Sequence, residues 1–162
     1  MSYFSFDPRE DIRNTIGYKL DFNHDNKEES VLTVHDDYNE DIYIPLLLPE
    51  ETRTGEVYPM PYIEMLLVSS PANVHNCQGD VREQKAYIDF NIWYTNQDNI
   101  SSTTFGKKIA DKIIDEIMLC RCSVPSVYWM EVINDGREII EPEINNQVVF
   151  HRVVEVYCTN MR

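Results

Sequence analysis

The sequence predicts an α+β fold: an open, mostly antiparallel sheet with two main helices packed on it, a C-terminal β-hairpin and a long final strand. Three observations carry this. Residues 86–95 alternate apolar and polar with a period of two, residues 105–121 repeat apolar residues at helical spacing, and residues 127–159 read as strand, turn and strand with no helix between them. At 162 residues one domain, 1–162, is expected, with an acidic extended or loop segment at about 21–58.

Taken in order, Asp7 and Pro8 open a helix over 9–20, because Asp accepts from orphan amides and Pro already has a helical φ. Ile12, Ile16 and Leu20 give it one narrow apolar stripe. Residues 21–56 hold eleven acids against two bases. The plainest reading is a solvated loop, interrupted by apolar pieces at 31–34 and 42–48. Pro45, Pro49, Pro59 and Pro61 remove ladder donors, so these pieces read as edge strands or an extended arm.

A continuous strand is expected over 62–70, then a polar loop over 73–84 that turns at Gly79 and Asp80. In 86–95, Ala86, Ile88, Phe90, Ile92 and Tyr94 point one way, and Tyr87, Asp89, Asn91 and Trp93 the other. Thr103 or Thr104 caps the next helix, where Phe105, Ile109, Ile113, Ile117 and Cys120, with Ala110, Ile114 and Met118 beside them, form a stripe broad enough to cover a sheet. Pro125 ends that region and a strand follows at 127–133. Asp135-Gly136 is a type I′ dipeptide, so a hairpin is expected there with 137–140 as its return; a further turn at 141–146 leads into the longest strand, 148–159.

With 28 acids against 14 bases the net charge is −14, the wrong sign for a protein that must neutralise phosphates. No apolar run approaches the roughly 20 residues that span a bilayer, and the first six residues lead into Asp7, Arg9 and Glu10 where a signal peptide would have its apolar core. No membrane partner and no export by the usual route are expected. Cys77, Cys120, Cys122 and Cys158 are too few for a disulfide scaffold. They also lack the two paired clusters of a zinc site, so they read as reduced, structural thiols.

No phosphate-binding glycine loop, nucleophile elbow or H-E-x-x-H motif is present, and no cofactor is expected. The nearest enzyme-like fragment is Glu83-Gln84-Lys85, a carboxylate and a lysine flanking one strand residue. With Glu64 it would give a metal-dependent nuclease. His35-Asp36-Asp37 and His75-x-Cys77 lack partners at ligand spacing, and His151 reads as a strand residue rather than a base. An acidic adaptor holding a basic partner through 21–56 is a further alternative.

The order of elements is similar to the small tail-completion proteins of tailed viruses and prophages, the tail terminators or head-to-tail joining proteins. The likeness is carried by Pro61-Tyr62-Ile63-Glu64-Met65, the loop with Gly79, 86–94 with its aromatic end, the helix Phe105-Gly106-Lys107-Lys108-Ile109-Ala110-Asp111-Lys112-Ile113, and the ending His151-Arg152-Val153-Val154-Glu155-Val156. It covers residues 1–20 and 59–160. The resemblance implies a non-enzymatic virion protein, a homo-hexameric ring in the tail or neck, assembled in the host cytoplasm. Its partners would be itself, the tail tube protein and the head connector, with DNA passing through the lumen unbound. A negative chain favours sliding of DNA over sticking. Tyr43, Tyr58, Tyr62 and Trp93 are the aromatics expected at subunit contacts.

Overall fold

The computed structural model describes residues 6–21, 24–52, 59–69, 74–75, 81–96, 102–144 and 147–161. In chain order the elements are α1 (Arg9–Ile16), β1 (Tyr18–Leu20), β2 (Glu29–His35), β3 (Asp41–Leu47), α2 (Pro49–Thr52), β4 (Tyr62–Ser69), β5 (Val74–His75), β6 (Val81–Tyr94), α3 (Ser102–Cys120), β7 (Trp129–Asp135), β8 (Ile139–Ile144) and β9 (Gln147–Met161). Among the described residues nine strands form one sheet in the order β1-β2-β3-β4-β6-β9-β7, with β5 on β6 and β8 on β9. Every pairing is antiparallel except β3 with β4. The expected α+β class is therefore the observed one.

The core lies between one face of this sheet and the helices α1 and α3. Ala86, Ile88, Phe90, Ile92 and Tyr94 of β6 are all fully buried there, as the alternation predicts. From α3 come Phe105, Ile109, Ala110, Ile113 and Ile117, each also fully buried, and α1 adds Ile12 and Ile16. Fully burying a side chain of this size is worth about 1.5–3 kcal/mol, so this stripe, not helix propensity, holds α3 in place. Met118 is exposed, outside the stripe it was expected to join. Thr103 and Thr104 lie inside α3, which starts at Ser102.

Three expectations are corrected. First, α1 ends at Ile16: Gly17 is extended, at φ −93° and ψ 135°, and the chain enters β1, which takes Leu20 off the helical stripe. Second, the two apolar pieces of the acidic segment, expected as edge strands or an extended arm, are strands of the main sheet, and β3 lies inside it between β2 and β4. Residues 29–35 and 41–47 form an antiparallel hairpin that pairs Leu32 with Ile44 and Val34 with Ile42, all in the core cluster or packed on it. Its acids occupy the solvent positions and the turn, where buried Asp36 accepts hydrogen bonds from the amides of Tyr38 and Glu40, both at 2.8 Å. Pro45 sits at the last pair of the β2 ladder, one residue before the β4 ladder begins, where a missing amide disturbs neither.

Third, Asp135-Gly136 is not a hairpin turn. β7 and β8 run in succession along one edge of β9, pairing Trp129 with Thr159, Asp135 with Val154, Ile139 with His151 and Ile144 with Gln147. The hairpin closes between Ile144 and Gln147, and Gly136 lies within its outgoing arm, donating its amide to Val153 O at 2.8 Å. The polar loop expected over 73–84 is also shorter, because β6 begins at Val81.

Candidate interface on the sheet face opposite the helices

Among the described residues both longer helices lie on one face of the sheet, and the opposite face is read from the register. That face is partly covered, since Val31, Leu47 and Val149 on it are buried and Thr52 of α2 bonds Glu64 there. Residues paired across strands share a face, and successive residues alternate. The row Tyr62, Trp93, His151 and Ile139 crosses β4, β6, β9 and β8 on the side opposite α1 and α3. Beside it lies Glu64, Asn91 and Val153, then Leu66, Asp89, Glu155 and Asn134, then Tyr87, Tyr157 and Glu131. Such a face of an antiparallel sheet is ordinarily polar. Here two aromatic rows flank carboxylates and aliphatic side chains.

The predicted contact aromatics fall on this face in part. Tyr62 and Trp93 are direct cross-strand neighbours, both half-buried. Tyr43, 40% exposed, is on the same side, since Ile44 and Leu46 beside it face the core. Tyr58 lies outside the described residues. The Trp93 ring is stacked on His151, with centroids 4.0 Å apart and planes 6° from parallel. His151 in turn holds Asn91 Oδ1 at 2.7 Å from Nε2 and Glu141 Oε1 at 3.2 Å from Nδ1, which ties β8 to β6 across β9. Asn91 is buried, and its Nδ2 has no partner among the described residues.

Desolvation shapes the acidity of this face. Burial, and then the neighbouring Glu64, push the Tyr62 phenol upward. Burial, and then the facing carboxylate of Glu155, hold Asp89 above the ordinary carboxylate range. Asp89 and Glu155 are directly paired, so two like charges stand opposite each other, with Cβ atoms about 4.5–5.5 Å apart in such a pair. No cation among the described residues forms an ion pair with either. Lys85, further along β6, is 4.0 Å from Glu83 and acts on Tyr157. Tyr87 and Tyr157 pack at 5.1 Å between centroids, tilted by 41°.

The nuclease residues are not brought together. Glu64 is paired with Asn91, six residues along β6 from Lys85, about 20 Å at strand rise, and it accepts a 2.5 Å hydrogen bond from Thr52 of α2. Among the described residues no group of three His, Cys, Asp or Glu side chains is placed to hold a metal ion. His35 pairs with Asp41 at 2.7 Å on the β2–β3 hairpin, and the side chains of His75 and Cys77 lie outside the described residues. Cys158 is a core residue whose thiol burial pushes up to about 12; Cys120 is half-buried and Cys122 exposed.

Asp89, Glu155, Tyr87 and Tyr157 were not singled out as contact residues from the sequence. The alternation of 86–95 already placed Tyr87 and Asp89 beside Trp93, but only the β6–β9 register shows which residues of the last strand face them. Compared with known proteins, the chain matches no family model and no curated protein sequence.

Proposed function

We propose that the chain is a structural, non-enzymatic subunit of tail assembly in a tailed virus or prophage: a ring of six copies that terminates the tail tube and joins it to the head connector in the virion neck. The resemblance in element order supports this, and so does one observation above all, the arm formed by β7, β8 and β9. Ile133, Ile139, Ile140 and Val148 are exposed along it, and Ile140 is 68% exposed. Ile139 and Ile140 are successive strand residues, so the arm is apolar on both faces. Large exposed apolar side chains gathered along one edge of the sheet mark an association surface.

A ring needs a heterologous contact, in which one patch meets a different patch on the next copy. The arm stands at one end of the strand order and β1 at the other, where Tyr18 is exposed, so head-to-tail contact joins the two. Three one-residue excesses of the arm over β9 interrupt its edge, at 133, between 135 and 139, and between 141 and 144. Such bulges oppose continuous strand addition, so the contact is made by side chains. The charge of −14 suits a lumen through which DNA slides.

The test is the mass of the full chain by light scattering over a range of concentrations, with negative-stain images. Six-fold rings are expected, and Ile139→Asp with Ile140→Asp should reduce them to folded monomers. A chain that stays monomeric alone and with tubes of the tail protein encoded beside it overturns the proposal.

A further inference from the structure

The ring contact leaves the sheet face opposite α1 and α3 without an assigned occupant. Its centre is the pair Asp89 and Glu155, half-buried, facing each other and without a cation among the described residues. Along the strands, about 7 Å to one side, lie the Tyr87 and Tyr157 rings; Asn91 and Val153 are the same step away on the other side, and beyond them Trp93 stacked on His151. Folding alone disfavours such a pair, since like charges directly opposite destabilise a sheet. A cation set between them relieves the repulsion, and the tyrosine ring faces beside it attract the same cation.

We infer that this face is a docking surface for a basic segment of a partner protein, with an arginine guanidinium seated between Asp89 and Glu155 against Tyr87 and Tyr157 and the segment's apolar side chains lying over Leu66 and Val153. Arginine fits better than lysine: its planar fork matches two carboxylates and stacks on aromatic rings, whereas an ammonium is a compact, strongly hydrated point charge. Charge complementarity makes the occupant a different protein and not a second copy. The lysines of α3 are already paired, Lys107 with Asp111, Lys108 with Asp37 and Lys112 with Glu116. Two chains at −14 also repel when these faces meet. The ring contact is tested at Ile139 and Ile140 and this one at Asp89 and Glu155, two rows further along the face from Ile139, so the two can fail separately.

The experiment titrates the full chain with a blocked nine-residue peptide of alternating Arg and Thr, and with the same peptide carrying Lys or citrulline. Calorimetry and tryptophan fluorescence read the binding, since Trp93 lies on the face. The Arg peptide is expected to bind, more tightly than the Lys peptide and with loss in high salt, and the citrulline peptide not to bind. Asp89→Asn with Glu155→Gln should weaken the Arg peptide by about tenfold or more. Asp21→Asn with Asp25→Asn removes the same charge from exposed positions and should leave binding unchanged. Neither pair of changes deletes core volume, and circular dichroism checks that both variants fold. Equal loss in the two double variants, equal binding of Arg and Lys peptides, or no binding of the Arg peptide overturns the assignment. So does a chain whose self-association is abolished by Asp89→Asn with Glu155→Gln, because the face would then be occupied by a second copy.

Discussion

Gly106 shows how much of this structure is decided one side chain at a time. It lies in the first turns of α3, where glycine costs the helix about 1 kcal/mol relative to alanine. The reason for it is Tyr94. A Cβ on Gly106 would stand 2.1 Å from the Tyr94 hydroxyl and 2.2 Å from Cζ, so the ring passes where the side chain would be. That passage lets Tyr94 pack on Phe105 and Phe150 and donate to Glu138 Oε2 at 2.6 Å, joining β6 to the start of the arm. Burial, and then this bond to Glu138, push the Tyr94 phenol well above its ordinary value. Gly106→Ala should therefore destabilise the chain in spite of its better helix propensity, by about 1–3 kcal/mol in urea unfolding. Unchanged or increased stability would show that the ring moves aside freely. The inward set of β6 was legible in the sequence because a period of two is a local signal. The need for Gly106 was not, because it depends on a residue from another element.

At the scale of elements, the same distinction explains what was misplaced. Asp135-Gly136 carries the local signature of a two-residue turn, and nothing nearby in the sequence contradicts it. What overrides it is the length of β9, whose fifteen residues offer ladder partners to the whole of 129–144. Gly136 is kept for close approach, not for a turn: a Cβ there would meet the Val153 carbonyl oxygen at 2.6 Å. Gly136→Ala should loosen the arm, with faster amide hydrogen exchange at β7 and β8 while α3 keeps its protection. If Gly136 were instead a turn residue outside the ladder, exchange along β7 would not change. The pieces that form β2 and β3 read as strands, but their pairing as a hairpin inside the sheet was hidden for a different reason. Its acids and Pro45 dominate the composition of 21–56, whereas the strands rest on a few inward residues, Leu32, Val34, Ile44 and Leu46, whose spacing is visible only when the solvent-facing residues between them are set aside. The candidate interface was half legible in the same way: Tyr62 and Trp93 were named, but their alignment with Tyr43, Asp89 and Tyr157 required the register of separate strands.

Across the whole molecule the excess of acid makes stability a function of pH, and the sign follows from where the carboxylates sit. Asp89, and Glu29 among the acids near β1, are held above the ordinary carboxylate range, by burial first and neighbouring carboxylates second. A folded chain that keeps such protons longer than the unfolded chain binds more of them, so these groups destabilise at neutral pH. Their cost is full above the folded values and absent below the unfolded ones, so stability should rise as the pH falls from neutral through the folded values into the ordinary carboxylate range. Asp7 works the other way. Its hydrogen bonds and ion pair with Arg9, at 2.8 Å to Nη2, lower it, so its contribution is complete above the unfolded value and is lost as pH falls through the folded one. Self-repulsion at a charge of −14 adds to the first trend, because protonation reduces it. Thermal unfolding of the full chain should therefore shift upward on acidification from neutral pH, and fall again once the pH drops through the lowered value of Asp7. Asp89→Asn with Glu155→Gln should raise the melting temperature at pH 7.5, and the gain should shrink as the pH falls through the raised value of Asp89 and is lost once that carboxyl is protonated in the unfolded chain as well. A gain that does not shrink on acidification would mean that the two substitutions act through packing. A loss at pH 7.5 would mean that the pair is already compensated in the free protein, and this face would then have no need of an outside cation.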